Sequence, residues 1–352
     1  MKKQMTSRER VLTTFAHQVP DRVPMWCGAS DEFWGKAKKE TNLGDEELRI
    51  RFHDDFRRVF ATYKGNNEPL DQGVVYRTPF GVERHGQGYG QPVNHPLAEA
   101  TLNQIHDYPW PDACDVDVSN VKADAELYNK QYAILGGDWS PFWHDAIDLF
   151  GMENLFIKMY IEPEAVDAVF EHVMEYYIAT SKRIFDAAAD QIDIFFIGND
   201  FGSQTGPLID EGLFRRFLLP HLKSLIDLGH SYGLKVMLHS CGGFAQLIPS
   251  LIEVGLDALH AIQTSCCGME LQGLKAKFGD KIVFNGGIDS HHILIDGDPD
   301  YVRDKTREIL NIMMPGGGYI AGASHDTILE ETPVENVLAM FDTIKEYGVY
   351  KS

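Results

Sequence analysis

Positive charge is scarce in this chain: 32 lysines and arginines stand against 52 aspartates and glutamates over 352 residues, a formal net charge of -20. A surface that acidic repels phosphate backbones and anionic headgroups, so neither nucleic acid nor membrane is expected as a general partner. Long apolar runs are also missing. No stretch approaches the roughly 20 apolar residues of a membrane-spanning helix. The opening MKKQMTSRER lacks the apolar core and small-residue cleavage site of a secretory leader. Cysteine is sparse, five residues at uneven spacing, which does not make a disulfide framework in a chain of this length. A reduced, cytoplasmic protein is expected. No G-x-G-x-x-G follows an early strand, which counts against an open, dinucleotide-binding sheet.

What the chain does have is alternation. Short β-branched or aromatic runs at 23–27, 58–63, 132–136, 192–198, 235–241, 258–263, 282–286 and 319–323 read as eight strands. Amphipathic stretches at 164–188, 213–232, 244–254, 299–313 and 333–347 lie between or after them, with Pro163, Pro299 and Pro333 where helices begin. Strands alternating with helices imply parallel pairing, and eight imply an α/β fold of the (β/α)8 TIM barrel type, one domain spanning 1–352. One region breaks the rhythm. Residues 74–95 alternate like a β-hairpin with "PFG" at the turn, an insertion after the second strand and a candidate flap over the barrel mouth.

Barrel chemistry sits at the C-terminal strand ends. Here nearly every end carries a side chain that binds or transfers something: Trp26, Trp139, Asn199 and Asp200, His239 and Cys241, Gln263, Asp289, and His325. The stretch KVMLHSCGG is the sharpest. Residues i and i+2 of a strand share a face, so His239 and Cys241 point the same way. An imidazole beside a thiol suits a metal or a nucleophile; equally, it suits a buried cysteine next to a satisfied core histidine. A catalytic zinc needs a third protein ligand and an open position. His325 is the first candidate, with Cys266, Cys267 and Asp200 as alternatives. Asn199 and Asp200 are candidate catalytic residues, Asp200 as an acid that orients substrate or a metal-bound histidine. Trp26, Trp139, Gln263 and Asp289 are candidate substrate contacts, and Phe142 and Trp143 read as mouth packing. His291 and His292 read as the solvated start of a helix, and the Cys266-Cys267 pair as spare thiols.

These residues carry a resemblance. "TSRERVLTTFAHQVPDRVPMW", "HPLAEATLNQIHDYPWPD", "GNDFGSQTGPLIDEGLFRRFLLP", "HSCGGFAQLIPSLIEVGLDALHAIQ", "FGDKIVFNGGID" and "GGGYIAGASHDTILEETPVENVLAM" together resemble the uroporphyrinogen decarboxylase superfamily along essentially the whole chain. The resemblance implies a (β/α)8 barrel and one of two activities. Its decarboxylases bind tetrapyrrole carboxylates through arginines after the first strand, in an R-Q-A-G-R type segment. Here that segment is "MWCGASDEFW", with Asp31 and Glu32 and no arginine. Its methyltransferases work with corrinoid proteins through a zinc site of H-x-C plus a distant cysteine near strand eight. "HSC" matches the first two ligands, while "AGASHD" offers His325 in place of the cysteine. A neutral ligand leaves zinc more positive, which favours a Lewis-acid role over activation of a thiolate. The expectation is therefore a zinc-dependent methyltransferase of the O-demethylase component type. It would move a methyl group between a small methoxylated, aromatic donor and a corrinoid protein, with a homodimer as a candidate assembly. A uroporphyrinogen-type decarboxylase is the alternative, and a barrel that binds without reacting is a third class.

Overall fold

The computed structural model describes residues 4–65, 74–86 and 90–351. Its centre is a curled sheet of seven parallel strands: Phe56–Arg58, Ala133–Gly136, Ile194–Gly198, Lys235–His239, Ala258–Ile262, Val283–Ile288 and Tyr319–Ala323, neighbours in sheet order as in sequence. Ile194–Gly198, Ala258–Ile262 and Tyr319–Ala323 are buried at every position because both faces are covered, as a parallel sheet requires. Phe195, Val236, Leu238, Leu259 and Phe284 belong to the outer core, beneath the helices. Phe56, Leu135, Ile194, Phe196, Met237, Ala258, Val283 and Ile320 pack together inside the curl, with Val11 and Phe15 of the helix Ser7–Phe15 joining them.

The sheet has seven strands where eight are predicted. Residues 23–27 make isolated contacts and no ladder. Trp26 N–H donates to Ala321, Ala321 N–H to Pro24, and Asp55 N–H to Met25, each at 2.9 Å. The segment thus touches both edge strands, but Pro24 has no N–H to extend the pairing. Asp55, fully buried, anchors it instead by accepting from Met25 N–H at 2.7 Å and from Arg10 and Arg22 at 2.8 Å. The predicted strand at 58–63 also divides. Phe56–Arg58 enters the sheet, while Thr62–Tyr63 pairs antiparallel with Val116–Asp117.

Helices begin close to the expected positions: Pro163–Ala188, Pro299–Met313 and Val334–Tyr347, the last with Pro333 as its N-cap. Several helices were not read from sequence, Phe142–Phe150 and Met152–Ile161 among them. In the predicted insertion, Val74–Arg77 pairs antiparallel with Glu83–His85, and Gln91–Pro92 adds a third short strand; 87–89 lie outside the described residues. Phe80 at its turn packs edge-on against Trp110, Tyr176 and Tyr177.

Candidate metal centre

Strand parity builds the site. Met237, Ala258 and Val283 face inward, so two residues further along each strand His239, His260 and Asn285 continue on the same face. All three are buried. Phe196 lies one such step before Gly198, where a Cβ would stand 1.9 Å from the Trp139 ring. Glycine there admits the indole, which stacks on His239 with centroids 5.6 Å apart at 30°. Past the strand, Gly242 at φ 85 meets Gly202 so closely that a Cβ would lie 2.3 Å from its carbonyl carbon. Two glycines therefore let the chain turn directly behind Cys241.

His239 uses both ring nitrogens. Its Nε2 is 3.3 Å from Cys241 Sγ and 3.4 Å from Asp200 Oδ1, while its Nδ1 is 3.1 Å from His260 Nδ1. Asp200 Oδ1 also accepts the Cys241 N–H at 2.7 Å, and Asp200 N–H donates to His144 Nε2 at 3.0 Å. The donor atoms of Asp200, His239 and Cys241 all lie within 4.8 Å of one another, and so do those of His239, His260 and Asp326. Nitrogen, thiolate and carboxylate from two neighbouring strand ends form a donor set that fits zinc. His325 hydrogen-bonds to Cys241 and accepts from Thr327 N–H at 3.4 Å, but it belongs to neither trio. Cys266 is buried and Cys267 exposed, also outside both.

The charges are strongly coupled. Burial opposes ionisation of Asp200, yet the adjacent His144 and His239 imidazoles outweigh it and hold the carboxyl well below the usual carboxylate range. Burial also opposes a charged His239, and the neighbouring Asp326, Cys241 and Asp200 overcome it, raising that imidazole well above its ordinary value. Cys241 is lowered despite burial by His239 and His325. His260 is driven well below the ordinary histidine range by burial and by His239, His325 and Arg58, so it stays neutral. A neutral His260 can accept at Nδ1, the arrangement that keeps the proton of a metal-bound His239 on its own Nδ1.

Other expected residues brace the site. Asn199 Oδ1 accepts from Trp143 N–H at 2.9 Å and its amide donates to Ser140 O at 3.0 Å, which occupies the side chain. Gln263 Oε1 accepts the Gly242 N–H at 2.9 Å. Asp289 caps the next turn through the N–H groups of His291 and His292. Phe142 does not reach the mouth; it is fully buried against Phe170 and His221. His144, His260 and Arg58 were missed. Parity from Ala258 would have found His260; His144 sits on an unpredicted helix, and nothing local marked it.

A cavity of about 1080 Å³ opens beside this group, lined among others by Trp26, Phe56, Arg58, Phe60, His325 and Asp326. None of its lining comes from 74–95, so among the described residues the insertion does not cover it. The Arg58 guanidinium lies 4.9 Å over Trp139 and 5.1 Å over Phe196. No described helix is long and apolar enough to cross a membrane.

Known proteins share this frame. A methylated-thiol–coenzyme M methyltransferase of Methanosarcina mazei is 23% identical over 279 residues, 74% of this chain and 72% of that protein. A solved methyltransferase structure from Methanosarcina mazei superposes with a TM-score of 0.69 at 18% identity, covering 97% of this chain and 99% of that one. At that identity the superposition speaks for the fold alone. The family model of uroporphyrinogen decarboxylase (URO-D) matches residues 86–347, well over half the chain, and the chain belongs to that family.

Proposed function

We propose that the protein is a zinc-dependent methyltransferase that moves a methyl group between a methoxylated aromatic substrate and a corrinoid carried by a partner protein. The observation that carries this reading is the convergence of Asp200, His239 and Cys241 within 4.8 Å at the strand ends. The likeness to a thiol methyltransferase supports methyl transfer, and the sequence motifs shared with the corrinoid-dependent branch supply the partner. We read the segment 23–27, bonded to both edge strands, as the eighth stave of a (β/α)8 barrel whose mouth receives that partner. Free thiols at all five cysteines agree with a reducing, cytoplasmic setting.

Zinc held there would supply a Lewis-acid position for the ether oxygen. The protein's part is to hold the donors. Asp200 and Cys241 both face His239 Nε2, while His260 takes its Nδ1, so Asp200 suits a ligand better than an outer carboxylate. His325 borders the cavity and bonds to Cys241, which puts it on the open, substrate side. Trp26 lines the cavity, and Trp139 stacks on His239 behind it. In the overall reaction the carbon–oxygen bond breaks, its electron pair stays on oxygen with a proton, and the methyl group passes to reduced cobalt.

Porphyrinogen decarboxylation is disfavoured by charge. Asp31 and Glu32 line the cavity where carboxylates would have to bind, and Arg49 and Arg57 are already paired with Asp54 and Glu46. The test combines metal analysis with the absorbance change of a reduced corrinoid protein offered methoxylated arenes. Stoichiometric zinc and methylation are expected. Carbon dioxide release from uroporphyrinogen, with no methylation, would transfer the case to the decarboxylase.

A further inference from the structure

His260 is tied down at one nitrogen only. Its Nδ1 faces His239 Nδ1 at 3.1 Å, while its Nε2 has no hydrogen-bond partner among the described residues. The ring is fully buried, with the Trp26 and Phe196 rings at centroid distances of 4.9 and 5.4 Å. Neither of those rings offers a lone pair to an N–H. Imidazole has two neutral tautomers, and the partner of one nitrogen decides what the other can do. Only with its proton on Nε2 does a neutral His260 accept from His239. That proton then lies buried, where unanswered donors are rare.

The matching acceptor stands on the next strand. Register places His239 beside His260 and Leu259 beside Phe284, so Asn285 continues the row on the inward face. Neighbouring strands run about 4.8 Å apart. Asn285 is fully buried too, and its amide nitrogen donates to Met237 Sδ at 3.6 Å. A thioether only accepts, which fixes the amide with its NH2 toward the sulfur and Oδ1 turned from it. That Oδ1 has no partner among the described residues. One buried donor and one buried acceptor thus go unanswered on adjacent strands, where the ladder is interrupted between Leu259 and Ile262. Asp326 is another acceptor near these rings, but it lines the open cavity, where solvent reaches it.

We propose that Asn285 is a positioning residue for the metal centre, acting through His260. One enclosed water accepts from His260 Nε2–H and donates to Asn285 Oδ1, two partners being enough to hold a water inside a protein. No covalent bond changes. The bridge selects the His260 tautomer whose Nδ1 accepts from His239, which leaves His239 Nε2 to the metal. The inference rests on the metal-centre part of the reading above and is independent of the methyl donor.

Chelator competition for zinc, run as a double-mutant cycle, tests it. Asn285→Leu keeps the shape and removes the acceptor, and should weaken zinc binding about tenfold. Asn285→Thr, whose hydroxyl accepts, should recover part of the loss. In a His260→Ala background, Asn285→Leu should change affinity by less than about twofold, because its effect passes through the missing ring. An equal loss in both backgrounds, or none in either, would overturn the inference. Nitrogen-15 spectra of histidine-labelled protein, with and without zinc, give a second readout, the His260 signal being assigned by its loss in His260→Ala. Wild type should carry the His260 proton on Nε2, Asn285→Leu should show mixed tautomers, and Asp326→Asn should leave the wild-type pattern. A wild-type proton on Nδ1, or a tautomer that follows Asp326 instead, would overturn it even where Asn285→Leu fails to fold. The expected tautomer without any zinc binding would remove the zinc reading and leave Asn285 holding His260. Tight zinc with His260 protonated at Nδ1 would do the reverse.

Discussion

The Nδ1 atoms of His239 and His260 stand 3.1 Å apart, both rings buried. Only one proton fits between them. With Nε2 of His239 turned to Cys241 and Asp200, that proton belongs on His239 Nδ1, with His260 as acceptor. His260→Ala should lower metal affinity about 10- to 100-fold, and His260→Gln, which keeps an acceptor oxygen, should recover part of it. Chelator competition measures both. Unchanged affinity in the two variants would leave His260 without a role in positioning.

Cys241→Ala should abolish metal binding and methyl transfer while far-ultraviolet circular dichroism stays unchanged. The thiol sits past the end of the strand Lys235–His239, so its loss opens no large core cavity. Full methyl transfer by a metal-free variant would take zinc out of the reaction.

Asp200 and His325 compete for the third ligand position. Asp200→Ala should lose metal to the same degree as Cys241→Ala, because its carboxylate shares His239 Nε2 with the thiol. His325→Ala should keep most of the metal and lose turnover. The opposite pattern would return His325 to the ligand set expected from the sequence.

Gly198→Ala tests the packing beneath the site. Its Cβ would fall 1.9 Å from the Trp139 ring, so the indole must leave its stack on His239. Overpacking of this kind costs about 1–3 kcal/mol. Denaturant unfolding should show that loss, along with a blue or red shift of tryptophan emission; an unperturbed midpoint would mean the indole is not held there.

Asp145 gives a pH signature. Burial pushes its carboxyl up to about 7 from 3.8, against the hydrogen bond from Tyr177. The folded protein therefore keeps a proton that the unfolded chain gives up between those two values. Stability falls as pH rises through that window, by at most about 1.4 kcal/mol per pH unit. Asp145→Asn should flatten this dependence. Parallel melting profiles for wild type and variant across the window would contradict the assignment.

Much of this was legible in the chain because period is local. The runs around Ile194–Gly198, Lys235–His239 and Tyr319–Ala323 are apolar at successive positions, and the helices Pro163–Ala188 and Pro299–Met313 begin on their prolines. The failures were also local in origin. Residues 23–27 have strand composition, but Pro24 withholds the N–H that a ladder needs, and contacts with Ala321, Asp55 and Gly348 fix their place. Asn199 and Asp289 stand at strand ends like Asp200, yet their side chains are occupied by the backbone at 140–143 and 291–292.

By itself the sequence determined which way His239 and Cys241 point, since alternation along an extended chain follows from backbone geometry alone. It also determined the acidity of Asp31, Glu32, Glu330 and Glu331, and the absence of an arginine cluster after the first strand segment. Only the tertiary structure decided what meets those groups. Asp200 and His260 are 39 and 21 residues from His239, and Asp326 is 87 away; curling of the sheet brings all three to one imidazole. No local pattern encodes such a meeting, because it depends on the summed register of neighbouring strands, and a shift of one residue would turn His260 out of the curl.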